Sequence, residues 1–136
     1  MTTVIIKDES GSGRNTASIT LEVGAERITL RDLITTRVHE EVARYNASLT
    51  DPGRAAGVFA GLVMPEGAVP TPGGFRMPSR RPVDWEPQVA ESLKAFGRNG
   101  FFVLVGGRQV TDLDAELKLT AECDIRFIRL IALVGG

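Results

Sequence analysis

Cysteine, histidine and lysine are scarce in this chain of 136 residues. The single cysteine, Cys123, excludes an internal disulfide and a cysteine-rich metal site. No apolar run approaches the roughly 20 residues of a membrane-spanning helix, so we expect no membrane partner. The N-terminal stretch MTTVIIKDES lacks the long apolar core of a secretory signal, which favours a cytoplasmic protein.

A strong charge of either sign is also absent. The 16 basic and 17 acidic residues give a net charge of -1, which argues against nucleic acid as the main partner. Hydrophobic residues make up 43% and charged residues 24% of the chain, as is typical of globular proteins. At this length the composition indicates one domain, residues 1–136, with a single core.

The N-terminal region predicts two strands. Thr2 to Lys7 is rich in β-branched residues, and the polar, Gly/Ser-rich stretch from Asp8 to Thr16 predicts a loop. Ser18 to Val23 alternates apolar and polar residues, the period of a strand with one buried face. The residues expected on that face are Ile19, Leu21 and Val23. We expect the two strands to pair as an antiparallel hairpin.

A helix is predicted next, from about Leu30 to Tyr45. Thr29, followed three residues later by Asp32, resembles a capping box with Asp in place of Glu or Gln. An apolar stripe at helical spacing comprises Leu30, Leu33, Ile34, Val38, Val42 and Tyr45. The charged residues expected largely on the other side are Arg31, Arg37, Glu40, Glu41 and Arg44. We expect the stripe to lie across the sheet.

Residues 46–99 are predicted to be an insertion. Its arm, residues 46–82, holds six of the seven prolines, and Pro65 to Pro82 is predicted to hold no regular element. The apolar stretch Ala55 to Met64 is a candidate short helix. It either covers an edge of the core or forms an exposed contact through 55–64 for a partner or a second copy.

The insertion ends in a second predicted helix, at about residues 85–96. Asp84 is its expected N-cap, and Pro87 suits its first turn. The spacing predicts one buried face, and Gly97 is expected to end the helix. The residues of that face are Val89, Leu93 and Phe96.

The C-terminal region predicts two more strands and a tail. Phe101 to Val105 is a short run of β-forming residues, and Gly106-Gly107 predicts a tight turn with positive φ angles. Ile125 to Val134 is a second apolar run, broken by arginines. The printed chain ends in Gly135-Gly136, a flexible diglycine tail whose narrow backbone suits entry into the active site of another protein.

The remaining candidates for chemistry are few. Cys123 is interpreted as a structural cysteine, and His39 as a solvated residue on a charged helix face. An acidic stretch comprises Asp112, Asp114, Glu116, Glu122 and Asp124. It favours a solvated loop, with a docking face for a basic partner as the second interpretation. We therefore predict no metal site and no bound cofactor.

The order of the predicted elements is strand, strand, helix, inserted arm with a second helix, strand, turn and strand, which is the order of a β-grasp fold. SITLEVGAERITLRDLI resembles the second strand and helix start of ubiquitin-like proteins. The third strand of ubiquitin-like proteins and the turn after it are similar to FVLVGGRQVTDLDAEL. Their last strand and diglycine tail are similar to DIRFIRLIALVGG. ITLRDLI and the LVGG ending also resemble the prokaryotic sulfur carriers of molybdopterin and thiamine synthesis. We therefore predict an α+β protein whose mixed β-grasp sheet packs on one main helix.

The resemblance implies a bacterial ubiquitin-like modifier and not an enzyme. A partner activating enzyme, using ATP and magnesium, would adenylate the carboxylate of Gly136, with Gly135 as the slim residue behind it. A conjugating enzyme, a deconjugating protease and target proteins with free amines are the further partners implied. The resemblance assigns partner binding to Leu104, Val110 and Leu130 on the sheet and to Ala132, Leu133 and Val134 in the tail.

Two alternatives stay open at this point. The same fold and tail suit a sulfur carrier that bears a thiocarboxylate on Gly136. The chain is otherwise a non-covalent interaction or self-assembling module with an inert terminus. Arg108 stands where the resemblance would put the lysine through which ubiquitin forms chains, and arginine cannot accept an isopeptide bond. Only Lys7, Lys94 and Lys118 offer amines on side chains.

Overall fold

The computed structural model describes residues 2–10, 15–50, 57–71 and 74–129, which form an α+β structure with a mixed sheet and two helices. The elements are β1 (Thr2–Ser10), β2 (Asn15–Val23), β3 (Arg27–Thr29), α1 (Leu30–Ser48), β4 (Val58–Phe59), β5 (Val69–Thr71), β6 (Gly74–Arg76), α2 (Trp85–Gly97), β7 (Phe101–Val105), β8 (Arg108–Val110), β9 (Glu116–Lys118) and β10 (Ile125–Arg129). Neither helix in these ranges is long and apolar enough to cross a bilayer. The chain divides into two compact units, Met1–Leu33 with Ala95–Gly136, and Ile34–Lys94.

The first unit is built on a five-stranded sheet of order β2-β1-β10-β7-β8. β1 pairs parallel with β10, and the other three pairs of neighbours are antiparallel. The predicted β1–β2 hairpin is confirmed, with Ile6 opposite Ile19. The predicted inner face of β2 is also confirmed, since Leu21 and Val23 are each only 2% exposed.

β1 is longer than the sequence predicts. The prediction of a loop starting at Asp8 was wrong, because β1 continues to Ser10. Asp8 pairs with Phe127 and Ser10 with Arg129, both on β10. A strand distant in the sequence thus supplies hydrogen bonds that keep this polar, Gly/Ser-flanked stretch extended, and its local composition cannot reveal them.

The inner face of the five-stranded sheet is apolar except for the buried Asp8, and it carries the core of this unit. Its fully buried side chains include Val4, Ile6, Phe101, Val103, Ile125 and Phe127. The rings of Phe101 and Phe127 stack with centroids 5.7 Å apart. Aromatic pairs at this distance contribute attraction beyond the area that they bury. The alternation along β7 and β10 therefore sets which side of each strand faces the core.

A second, unpredicted pair of strands leads into α1. β3 pairs antiparallel with β9, with Ile28 opposite Leu117. The first backbone N–H groups of α1, from Leu30 and Arg31, donate to carbonyls in residues 113–115 at 3.0 and 2.9 Å. The predicted N-cap is confirmed, because the Thr29 hydroxyl accepts a hydrogen bond from the Asp32 N–H at 3.1 Å. The start of α1 is thus fixed both by its N-cap and by hydrogen bonds to residues 113–115.

The apolar stripe of α1 is confirmed, since all six of its predicted members are buried. The prediction that Arg37 and Glu41 lie on the polar side was wrong. Arg37 is 2% and Glu41 4% exposed. At helical spacing both positions share a face with Ile34, Val38 and their successors, and the two charges tolerate burial because they pair with each other.

The second unit contains a three-stranded sheet of order β4-β6-β5, so two predictions about the arm were wrong. Within residues 57–64 only Val58–Phe59 forms a strand and no residue is helical, while residues 55–56 lie outside the described ranges. The Pro-rich stretch holds the β5–β6 hairpin, since Pro70 occupies an edge strand that tolerates its missing N–H. Gly74 lets β6 approach β4 closely, because a Cβ there would lie 2.5 Å from the Phe59 carbonyl oxygen.

Helix α2 begins as predicted, with an Asp84 carboxylate oxygen accepting from the Glu86 N–H at 3.4 Å. Its face differs in part from the prediction: Phe96 is buried, but Val89 and Leu93 are half-buried, and Gln88 and Ser92 are buried with them. The Ser92 hydroxyl tolerates burial because it donates a hydrogen bond to the Gln88 carbonyl of the same helix at 2.7 Å.

Asn99, and not Gly97, supplies the left-handed residue that ends α2. Asn99 has a φ of 60°, whereas Gly97 is the last helical residue. The Asn99 N–H donates to the Phe96 carbonyl and the Gly100 N–H to the Ala95 carbonyl, at 3.0 and 2.7 Å. These two bonds are those of a Schellman motif, which satisfies the last carbonyls of a helix.

Candidate functional site

Most of the predicted site residues lie beyond the described ranges. These are Leu130, Ala132, Leu133, Val134, Gly135 and Gly136. The described part of the last strand, β10, stops at Arg129, immediately before them. Leu104 and Val110 are described, and both are half-buried.

Leu104 and Val110 lie on opposite faces of the sheet. Leu104 pairs with Gln109 across β7 and β8, whereas Val110 pairs with Val103, which is fully buried. Paired residues on neighbouring strands point to the same side. Val110 therefore belongs to the inner face and Leu104 to the other, so the two do not form one patch.

The face that carries Leu104 is called here the exposed face. Its members on the three central strands are Ile5, Lys7, Glu9, Phe102, Leu104, Arg126 and Ile128. Ile5 is 51% exposed, and Phe102, Leu104 and Ile128 are half-buried. Lys7 lies beside Arg126 in register. The exposed face thus combines apolar side chains with two cations and one anion, a surface able to contact a protein partner.

Arg126 is the best-anchored charge on the exposed face. Its Nη1 lies 2.6 Å from a Glu9 carboxylate oxygen, and its Nε lies 3.2 Å from both oxygens of Asp124. The hydrogen bond that Arg126 donates to Asp124, together with the negative charges of Asp124 and Glu9, raises the pKa of Arg126 above its ordinary value. The arrangement fixes the guanidinium across β1 and β10.

The sequence prediction missed this network, although a signal for it exists. The alternation of β10 puts Arg126 and Ile128 on the side opposite Phe127. The sequence prediction treats the arginines only as interruptions of an apolar run. Glu9 falls in the stretch that the sequence predicts to be a loop, so the sequence gives no reason to place it on the sheet. Its neighbour across the sheet is fixed by the parallel pairing of β1 with β10, which lies far outside any local window.

A small cavity of about 110 Å³ opens beside β8, at the edge of the five-stranded sheet. It is lined by Phe96, Gly97, Asn99, Phe101, Phe102, Gln109, Val110 and Thr111. Phe96 and Phe101 are buried with centroids 5.7 Å apart, while Asn99, Gln109 and Thr111 are exposed. The cavity is apolar inside and polar at its rim. It is far smaller than the several hundred Å³ of typical cofactor pockets.

The acidic stretch is exposed and partly neutralised by arginines. Asp114 pairs with Arg31 at 3.3 Å, and Glu116 with Arg27 at 3.4 Å. All four side chains are largely exposed, so each pair contributes little to stability. Within the described ranges, no group of three or more His, Cys, Asp or Glu side chains is arranged to hold a metal ion.

Cys123 is a half-buried free thiol in the first unit. In the second unit, the prediction that His39 is simply solvated was wrong in part. His39 is exposed, but its ring lies against Trp85 with centroids 4.0 Å apart. The two rings are tilted by 34°, and Trp85 itself is 39% exposed, so this ring pair forms part of the surface.

The chain matches no protein-family model, no curated protein and no solved structure. Its function is therefore argued from the sequence and from the geometry of the described residues.

Proposed function

We propose that this chain is a bacterial-type ubiquitin-like β-grasp protein, activated at Gly136 and joined to amines of target proteins. The observation that carries the proposal is the strand order β2-β1-β10-β7-β8. The first and last strands lie side by side and parallel at the centre of the sheet, and each is flanked by its antiparallel neighbour. A helix follows the first hairpin in the chain. This arrangement supports a β-grasp.

The position of Arg129 supports the role of the tail. β10 is a central strand, and seven residues, LIALVGG, separate its last described residue from the printed end of the chain. An extended segment of that length spans at most about 24 Å. Such a reach, ending in two residues without side chains, suits delivery of a carboxylate into a narrow active site.

The proposed chemistry takes place at one carboxylate. An oxygen of Gly136 attacks the α-phosphate of ATP on a partner activating enzyme, and pyrophosphate leaves. The amine of a target lysine then attacks the acyl carbon of the resulting anhydride, AMP leaves, and an isopeptide bond forms. The partner binds ATP and magnesium and stabilises the charge that develops. This chain supplies the carboxylate and the surface that the partner recognises.

The exposed face is the proposed partner-binding surface. Leu104 lies on it with Ile5, Phe102 and Ile128, and the Arg126 guanidinium is held in place on it by Glu9 and Asp124. Leu130, Ala132, Leu133 and Val134 follow β10 in the sequence and would extend this contact along the tail. Val110 is left out, because it belongs to the inner face.

Mass spectrometry of the C-terminal peptide, from protein recovered in its native host, tests the proposal. Gly136 joined to a lysine of another protein supports a modifier and identifies its targets. A sulfur-for-oxygen exchange on Gly136 points instead to a sulfur carrier. A free carboxylate that stays free with activating enzyme and ATP supplied, or a native chain that continues uncut beyond Gly136, overturns the proposal.

A matched pair of variants sharpens the test. Deletion of Gly136 should abolish conjugation, because the reacting carboxylate is lost from its position. Gly24→Ala should conjugate normally, since a Cβ at Gly24 meets no atom within 4 Å. Equal conjugation by both variants contradicts a role for Gly136.

A further inference from the structure

Among the described residues, β8 has a strand neighbour on one side only. β8 ends the order of the five-stranded sheet, so it has one strand neighbour, β7, in the described part of the chain. The two-residue turn at Gly106-Gly107 makes Val105 and Arg108 a hydrogen-bonded pair, and the pairs then alternate. The backbone N–H and C=O of Gln109 therefore point away from β7. β8 ends at Val110, so an outward orientation of the Thr111 backbone groups requires the strand to extend by two residues.

The side chains around this edge carry opposite charges at symmetric positions. Arg108 lies two residues before Val110, and Asp112 lies two residues after it. Both are exposed, and neither forms an ion pair within the described ranges. Since residues two apart on a strand share a face, all three side chains belong to one side of an extended edge.

We propose that two copies of this chain associate through β8, in antiparallel register with Val110 opposite Val110 of the second copy. Gln109 of each copy then faces Thr111 of the other, and each facing pair exchanges two backbone hydrogen bonds. Arg108 of each copy faces Asp112 of the other. The segment RQVTD is thus complementary to itself when it is read in opposite directions.

Charge selects this register over its neighbours. A strand added to the edge must set outward-pointing residues opposite each other. Pairing Gln109 with Gln109 would set each Arg108 against the apolar Val110, and pairing Thr111 with Thr111 would set Arg108 against Asp114, which already pairs with Arg31. Of the three registers, only the Gln109–Thr111 register pairs Arg108 with Asp112 at both ends and Val110 with Val110 at the centre.

The cavity beside β8 gives the contact an apolar centre. Val110 is half-buried and lines the cavity with Phe101 and Phe96. In the proposed register the second copy's Val110 comes directly opposite, at the close Cα spacing of about 4.5 Å typical of non-hydrogen-bonded pairs. Apolar pairs at such positions stabilise strand association. The inference concerns β8 alone and does not depend on the proposed role of Gly136.

Sedimentation velocity over a range of concentrations measures this association with the full chain. The contact is short, so the expected dimer is weak, with a dissociation constant of micromolar or higher order. Arg108→Asp sets two like-charged pairs in each dimer, as does Asp112→Lys, and each variant should associate at least about tenfold more weakly. Asp112 also accepts a hydrogen bond from the Asp114 N–H at 2.9 Å, so thermal unfolding must show that the variants fold.

Mixing the two variants supplies the decisive observation. Each variant repels itself, but Arg108→Asp and Asp112→Lys are complementary to each other at both ends of the contact. An equal mixture should therefore form a heterodimer at concentrations at which either variant alone is monomeric. A wild-type chain that stays monomeric at millimolar concentration overturns the proposal, and so does a mixture that associates no better than its components.

Discussion

The Nε of Arg37 lies 2.9 Å from a carboxylate oxygen of Glu41, and both side chains are only 2% exposed. The same helix carries a second pair at the same spacing, Glu40 with Arg44, at 2.8 Å. That second pair is 39% and 53% exposed. α1 therefore contains two ion pairs at the same spacing, with opposite order along the helix and opposite surroundings, so that comparing them tests chiefly the effect of burial.

Removal of one buried partner should destabilise the protein strongly. Glu41→Gln removes the negative charge that pairs with the buried Arg37 guanidinium, and we expect a loss of about 3 kcal/mol in the free energy of unfolding. Glu40→Gln, the matched control, should cost less than about 0.5 kcal/mol. Urea unfolding of both variants measures the difference. Equal losses would show that burial of the pair has no energetic consequence.

Tyr45→Phe should leave the protein as stable as before or more stable. The Tyr45 hydroxyl is buried, and no hydrogen-bond partner for it lies among the described residues. Removing an unsatisfied buried hydroxyl relieves a desolvation cost of about 1 kcal/mol. The edge-to-face contact of its ring with Phe59, at 5.7 Å, is retained by phenylalanine. A loss of more than about 1 kcal/mol on unfolding would reveal a partner for the hydroxyl.

Tyr45 should also contribute to alkaline destabilisation. Burial raises its pKa above the ordinary value of 10.0, although the nearby charge of Arg80 acts in the opposite direction. The unfolded chain therefore releases this proton at lower pH than the folded chain, and stability falls as the pH rises above 10.0. Tyr45 is the only tyrosine, so tyrosinate absorbance follows it alone. An unchanged alkaline slope in Tyr45→Phe contradicts this assignment.

Asn99→Gly should stabilise the end of α2. Asn99 has a φ of 60°, which glycine adopts without strain, so we expect a gain of about 0.5 kcal/mol. Asn99→Ala should cost about 1 kcal/mol for the opposite reason. Thermal unfolding measures both. As a control, Gly97→Ala should be neutral or stabilising, because Gly97 is helical and a Cβ there meets no atom within 4 Å. A large loss of stability in Gly97→Ala would indicate that Gly97, and not Asn99, caps the helix.

The β7–β8 turn should tolerate only particular residues. Gly106 and Gly107 have φ angles of 60° and 81°, which match a type I′ turn. Gly106→Asn should change stability by less than about 0.5 kcal/mol, since Asn-Gly is the preferred sequence of this turn. Gly106→Val should cost about 2 kcal/mol or more, because a β-branched residue resists positive φ. Similar melting temperatures for the two variants would contradict the assigned turn.

Several elements were predictable because their cause is local. The alternation of Ile19, Leu21 and Val23 follows from the period of a strand, and the cap at Thr29 from side-chain chemistry within one helical turn. The Gly106-Gly107 turn is equally local, since two adjacent glycines permit the required φ angles. Of the candidate site, only Leu104 and Val110 lie in the described ranges. Leu104 falls in the predicted strand Phe101–Val105, whereas the strand β8 that carries Val110 was not predicted, and neither were the faces that the two residues occupy.

By itself, the sequence determined the period of each element, its caps and its turns, because these depend on neighbours within a few residues. The tertiary structure decided what depends on distant partners. β10 extends β1 through Asp8, and β4 stabilises a hairpin in the Pro-rich arm. Register sets Leu104 and Val110 on opposite faces, and burial turns Arg37 and Glu41 into an internal pair. Strand pairing and burial join residues far apart in the chain, so no local pattern contains them.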